Sequence, residues 1–172
     1  MRCFKIESIE YGWFDFRIGT LYRGVSDYLG YDMPVEFLSK LLKILRSSSK
    51  EWVYLMYEPG AEIMEFLRSD NTIIINVYSI NKLSYDLSRD IADELQNIGN
   101  CEFSIRINIP EIVDAVVAEY SLFENGNGRK CYDMNWGRFP QKEYDELKII
   151  AFEMNKDQDE YDSLYCVEFL KN

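Results

Sequence analysis

Three aspartates near the start of the chain, Asp15, Asp27 and Asp32, belong to neighbouring predicted elements, with Glu10 close by in sequence. Carboxylate oxygens that converge at a sheet edge can bind a metal ion or a basic partner. Each aspartate also has a structural explanation: a strand residue facing solvent, a turn or strand end, and a helix cap. We favour these structural explanations, and predict neither a metal site nor a catalytic residue here.

A second candidate is the aromatic loop Trp136–Pro140, which contains Arg138. Tryptophan and arginine are residue types that anchor protein interfaces, so this loop has the composition of a recognition loop. The structural alternative is that it closes the open end of a hydrophobic core, and we lean towards it. Our set of predicted partner-contacting residues is Trp13, Asp15, Asp27, Trp136 and Arg138.

Three other stretches each match only part of a known functional motif. Residues 156–162 place acids at alternate positions but lack the central glycine and closing glutamate of a calcium loop. Residues 125–130 contain glycines and a lysine but follow a predicted helix, whereas a phosphate loop precedes one. Cys131 stands beside Arg129 and Lys130 without a partner base. We therefore predict no cofactor.

The chain has no histidine and four scattered cysteines. Without histidine, Ser–His and Cys–His catalysis and the usual near-neutral general base are excluded. The cysteines have no Cys-x-x-Cys spacing, which argues against zinc and favours reduced thiols in a reducing, cytoplasmic compartment.

The net charge of −11, with an isoelectric point near 4.5, is the strongest compositional signal. It disfavours nucleic acid and anionic membranes, which bind clustered lysine and arginine, and it favours a basic protein partner. Solubility alone would also explain it. The charged N-terminal residues are unlike a signal peptide, and no apolar run is long enough for a membrane span.

The elements that must position these residues begin with Trp52–Tyr78, which predicts three strands joined by turns at Pro59-Gly60 and Asp70-Asn71. Residues 3–18 read as an extended segment whose face changes parity, and this predicts a bulge at Gly12. Further strands are predicted over residues 21–29 and 101–107.

Apolar spacing predicts helices over residues 34–46, 110–124 and 140–154, the first two with a proline in the first turn. A weaker helical pattern over residues 87–98 would end at Gly99-Asn100. The predicted fold is α+β: a mostly antiparallel sheet of about six strands with three or four helices largely on one face. Residues 1–155 form a single domain, and residues 156–172 an acidic linker with a C-terminal strand or tail.

Four short motifs occur in order: Gly12–Ile18, Asp27–Leu29, Tyr57–Glu62 and Trp136–Pro140. In these stretches the chain resembles a loose family of small bacterial proteins without assigned activity. The resemblance spans most of residues 10–152. It implies a cytosolic bacterial single domain, and it supplies no catalytic residues.

The leading functional hypothesis is a non-catalytic protein-binding module, in its concrete form an immunity protein that neutralises a basic toxin. Small size, acidity, abundant aromatics and the lack of a cofactor motif favour it. One alternative is a carboxylate- or metal-dependent hydrolase, which needs paired acids at the mouth of a pocket. The other is a structural or oligomerising module, which needs an exposed apolar face or edge.

Overall fold

A computed structural model describes residues 2–27, 30–58, 60–80 and 98–169, with side chains described as far as residue 156. In these ranges the chain forms seven strands and four helices. In chain order they are β1 (Phe4–Glu10), β2 (Trp13–Ile18), β3 (Leu21–Ser26), α1 (Met33–Arg46), β4 (Lys50–Tyr57), β5 (Gly60–Ser69), β6 (Thr72–Ile80), β7 (Ile98–Asn108), α2 (Ile109–Ser121), α3 (Gly126–Asn135) and α4 (Gln141–Phe169).

Strands β1, β2 and β3 form a three-stranded antiparallel sheet. Tyr11 and Gly12 both have positive φ, 51° and 78°, as the two-residue turns that match strand twist require. The predicted bulge at Gly12 is therefore wrong: the chain reverses there, and reversal accounts for the change of parity. A register shift does occur, between Ile6 and Ser8 of β1.

Strands β4 to β7 form a second antiparallel sheet in sequential order. The predicted three-strand meander is confirmed, with Val53 opposite Met64 and Met64 opposite Val77. The strands thus divide between two sheets, where the sequence predicted one. Gly99 and Asn100 lie inside β7, so their predicted role in ending a helix is wrong; the rest of that pattern, residues 87–97, is outside the described ranges.

The two proline-initiated helices are confirmed. The Asp32 carboxylate caps α1 by accepting from the Val35 N–H at 3.3 Å, and Pro34 lies in the first turn. Helix α2 begins just before Pro110. Helix α4 extends to Phe169, so the backbone is helical where the sequence predicted an acidic linker followed by a strand or tail.

Helix α3 is absent from the sequence-based prediction, in which residues 125–130 simply follow the helix predicted over residues 110–124. Asn125 instead precedes the first residue of α3. Gly128 allows close packing between the helices, since a Cβ there would lie 2.0 Å from the Leu122 carbonyl oxygen. Tyr132 is the one fully buried residue of α3, so the segment lacks the apolar periodicity that marks a helix.

The α+β fold class is confirmed, and one hydrophobic core joins the two sheets to the helices. Three stacked or edge-packed rings cross this core. Phe4 of β1 lies 5.2 Å from Phe37 of α1, and Phe37 lies 5.6 Å from Phe66 of β5, between ring centroids. The inner faces of both sheets therefore bury their apolar residues against the same helix.

Candidate partner-binding surface

The three-stranded sheet buries one face and exposes the other. Alternation along β2 places Phe14, Phe16 and Ile18 in the core. Its remaining residues share the opposite face with Tyr22 of β3, which is directly across from Arg17. We name this face, together with the exposed Tyr11 in the adjoining turn between β1 and β2, the outer aromatic surface; its residues are Tyr11, Trp13, Asp15, Arg17 and Tyr22.

Aromatic side chains dominate the accessible part of this surface. Tyr11 is 90% exposed, Tyr22 47% and Trp13 39%. Because these rings are only partly buried, they contribute only part of the free energy that full burial would give to folding. Tyrosine and tryptophan are also among the residue types that most often contribute binding energy at interfaces. The surface therefore exposes apolar ring area to solvent next to polar hydroxyl and indole N–H groups.

Asp15 lies at the centre of the surface, directly opposite Gly24. A Cβ at Gly24 would stand 2.5 Å from Asp15 Oδ1 and 3.6 Å from the Trp13 ring, so glycine makes room for both side chains. The Ser8 hydroxyl donates to Asp15 at 2.7 Å. The pKa of Tyr22 is raised, mainly by partial burial and to a lesser extent by its hydrogen bond to Asp15.

The acids of this sheet divide into paired and unpaired groups. Glu7 accepts from Lys5 at 2.5 Å and from Arg17 at 2.9 Å, and these hydrogen bonds lower its pKa. Within the described residues, no ion pair involves Glu10, Asp15 or Asp27. Three carboxylates on one small sheet are consequently available to an external cation.

Asp27 lies at the same end of the sheet as Tyr11. Its N–H donates to the Gly12 carbonyl at 3.1 Å, and its Oδ1 is 2.9 Å from where a Cβ on Gly12 would stand. The structure thus brings together three of the residues predicted to contact a partner: Trp13, Asp15 and Asp27. It adds Tyr11 and Tyr22, which sequence reasoning missed because their placement depends on strand register.

The other two predicted residues lie elsewhere. Trp136 is 8% exposed; its indole N–H donates to Asp32 Oδ1 at 3.1 Å, and its ring packs edge-on against Phe14 at 5.7 Å. This burial matches the structural alternative, a loop that closes the core. Arg138 is exposed and lines a separate shallow cleft of about 370 Å³ beside Phe139.

Sequence reasoning also missed a polar row across the four-stranded sheet, buried at Glu65 and Asn76 and exposed at Ser104. Glu65 of β5 is opposite Asn76 of β6, which is opposite Ser104 of β7. Glu65 accepts from Asn76 at 2.8 Å and from the Tyr78 hydroxyl at 3.0 Å, and pairs with Lys50 at 3.0 Å. An acid inside an otherwise apolar run, Ile63–Leu67, was the available signal.

Two further buried glutamates are bound by groups of the chain itself. Glu62 of β5 forms a two-pronged ion pair with Arg23 of β3, at 2.5 and 2.9 Å, which ties the two sheets together. Glu119 of α2 accepts from the Ile6 N–H and from Arg2. In the described ranges no group of three or more cysteines and acids is placed to hold a metal ion.

Comparisons with protein-family models, with curated proteins and with solved structures give no match for this chain. Of the helices in the described ranges, none has both the length and the apolar composition needed to cross a membrane.

Proposed function

We propose that this chain is a non-catalytic binding protein that captures a basic protein through its outer aromatic surface. One observation carries the proposal: exposed Tyr11, Trp13 and Tyr22 share a sheet with the unpaired carboxylates of Glu10, Asp15 and Asp27. Aromatic rings supply contact area, and the carboxylates select lysine or arginine on the partner.

The charge of the whole chain supports the same partner. With 30 acidic and 19 basic residues, the chain attracts cations at long range and repels phosphate. Steering of this kind speeds association and weakens as salt screens the charges, with a Debye length of about 8 Å at physiological ionic strength. The concrete form that we propose is an immunity protein that blocks a basic toxin.

The described acids offer less support to a hydrolase. Glu65 and Glu62 are buried and already bound by Lys50 and Arg23, respectively. Glu10 and Asp27 are exposed and Asp15 is half-buried, and none of the three lines the clefts beside Phe139, Phe152 or Cys3. A binding surface does not need its acids to be paired in a cleft, because single carboxylates can each contact a cationic group of the partner.

The test is retention of partner proteins from an extract of the source organism on the immobilised full chain. We expect a basic protein to be retained at low salt and released at high salt. The variant Trp13→Ser combined with Asp15→Asn should lose it, because one change removes contact area and the other removes charge.

The matched control is Leu122→Ser, which removes a 62% exposed apolar side chain outside this surface and should retain the partner. Circular dichroism establishes that both variants are folded. The proposal fails if no basic protein is retained at low salt, or if the Trp13/Asp15 variant retains it as well as the wild type.

A further inference from the structure

The outward face of helix α4 carries a second exposed apolar feature, away from the surface described above. Ile149 is 58% exposed and Phe152 is 72% exposed, whereas Tyr144, Leu147 and Ala151 of the same helix are buried in the core. Two large apolar side chains side by side in solvent are costly unless something covers them.

The charged residues around this pair follow a strict order along two ridges of i, i+4 spacing. One ridge is Asp145, Ile149, Glu153: acid, apolar, acid. The other is Lys148, Phe152, Lys156: base, apolar, base. Together the two ridges line a shallow depression of about 540 Å³.

These ridges are complementary to each other when one copy of the helix is turned by a two-fold axis. An axis between Ile150 and Ala151 places each residue of one ridge opposite its counterpart on the other ridge of the second copy. The pairs so formed are Asp145 with Lys156, Glu153 with Lys148, and Ile149 with Phe152. Such a self-complementary patch is the requirement for a two-fold dimer.

We infer that a second copy of this chain docks antiparallel on this face, with the Ile149 and Phe152 side chains of the two copies packed at its centre. The charge of the patch fits this occupant. Its two acids and two bases sum to zero, while the chain as a whole carries −11. Two strongly acidic copies would therefore meet through a patch that carries no net charge of its own.

Each pair contains one residue that is already engaged within its own chain. Lys148 lies 2.5 Å from Glu124 and 2.9 Å from Asp145, whereas no ion pair of the described residues involves Glu153 or Lys156. The patch from Asp145 to Lys156 is about 18 Å long at the helical rise of 1.5 Å per residue. A contact of this length is at the small end of interfaces, so the dimer is weak and concentration-dependent.

Sedimentation velocity of the full chain over about a hundredfold range of concentration tests the inference. The sedimentation coefficient should rise with concentration, with half-association between roughly 10 µM and 1 mM. Asp145→Lys alone and Lys156→Glu alone should each abolish the rise, because each brings like charges together at both outer pairs.

Sedimentation of an equal mixture of these two variants is the decisive measurement. Opposite charges then face each other at both outer pairs of a mixed dimer, so the concentration dependence should return. The double variant Ile149→Ser and Phe152→Ser should remain monomeric, and Leu122→Ser should associate like the wild type. The inference is overturned if the wild type shows no rise, if the single charge variants still associate, or if their mixture stays monomeric.

Discussion

The two sheets use similar residues in opposite ways. The three-stranded sheet keeps one face in water, with Glu7 held by Lys5 and Arg17 at the surface. The inner strand β5 of the four-stranded sheet is buried on both faces, with Phe66 and Ile63 fully inaccessible, and its buried Glu65 accepts from the buried Asn76. A glutamate bound by lysine is thus a solvated surface group in one sheet and a structural group in the other.

This difference separates stability from binding. Removing a fully buried side chain from the four-stranded sheet costs folding energy, because its contacts have no solvent substitute. Removing a ring from the outer aromatic surface costs little folding energy, since water already occupies much of its surroundings. We expect matched substitutions to destabilise the fold much more in the four-stranded sheet than on the outer aromatic surface.

The largest expected effect is that of Phe66→Ala in β5, which should lower the free energy of unfolding by about 3–5 kcal/mol. Phe66 is fully buried and packs against Phe37 of α1. Tyr22→Ala in the outer aromatic surface is the matched change and should cost about 1 kcal/mol or less. Equilibrium unfolding in urea measures both, and equal losses would remove the distinction between the sheets.

Next in size is Glu65→Ala, expected to cost about 1–3 kcal/mol because it leaves Asn76 and Tyr78 without their buried acceptor. Glu7→Ala breaks two exposed ion pairs, which solvent screens, and should cost much less than Glu65→Ala. The same unfolding measurement compares them. A larger loss for Glu7→Ala would contradict the assignment of Glu65 as structural.

A smaller effect concerns alkaline pH. Burial, together with the hydrogen bond to Glu65, raises the pKa of Tyr78 from 10.0 to about 12. Since the folded pKa exceeds the unfolded one, the neutral phenol stabilises the fold fully below pH 10, and this contribution is lost as the pH rises through 12. The difference in unfolding free energy between the wild type and Tyr78→Phe should therefore shrink over that interval; a constant difference would argue against the shift.

The smallest effect is a difference in thiol reactivity. Burial and the neighbouring Glu111 charge raise the pKa of Cys3 to about 11, whereas Cys101 of β7 is exposed. Because the thiolate is the reactive form, iodoacetamide at neutral pH should label Cys101 and leave Cys3 unlabelled until urea is added. Peptide mass spectrometry reads out both sites. Rapid labelling of Cys3 in the folded chain would show that the core beside β1 is open.

The sequence could predict the elements that have strong local signals. Asp32 and Pro34 mark the start of α1, and alternation marks β2 and β6. Helix α3 could not be predicted, since Tyr132 is its one fully buried residue. The division into two sheets depends on pairings between distant strands and on the Arg23–Glu62 contact, which no local pattern encodes.

The candidate surface was predictable by residue type and not by position. The sequence predicts partner contacts for Trp13, Asp15 and Asp27 from their residue types. The structure places these three residues on one sheet. Tyr22 joins them because it pairs with Arg17, and Gly24 matters because it lies opposite Asp15. Trp136 has the composition of a binding residue, yet its indole N–H serves Asp32 inside the fold.

Hydroxyl-radical footprinting of the chain, alone and bound to the retained basic protein, tests the central proposal most directly, because it reports the solvent exposure of individual side chains. Tyr11, Trp13 and Tyr22 should be oxidised in the free chain and protected in the complex, while Leu122 should be oxidised equally in both. Unchanged oxidation of the three aromatics on binding would contradict the assignment of the outer aromatic surface as the place where the partner binds.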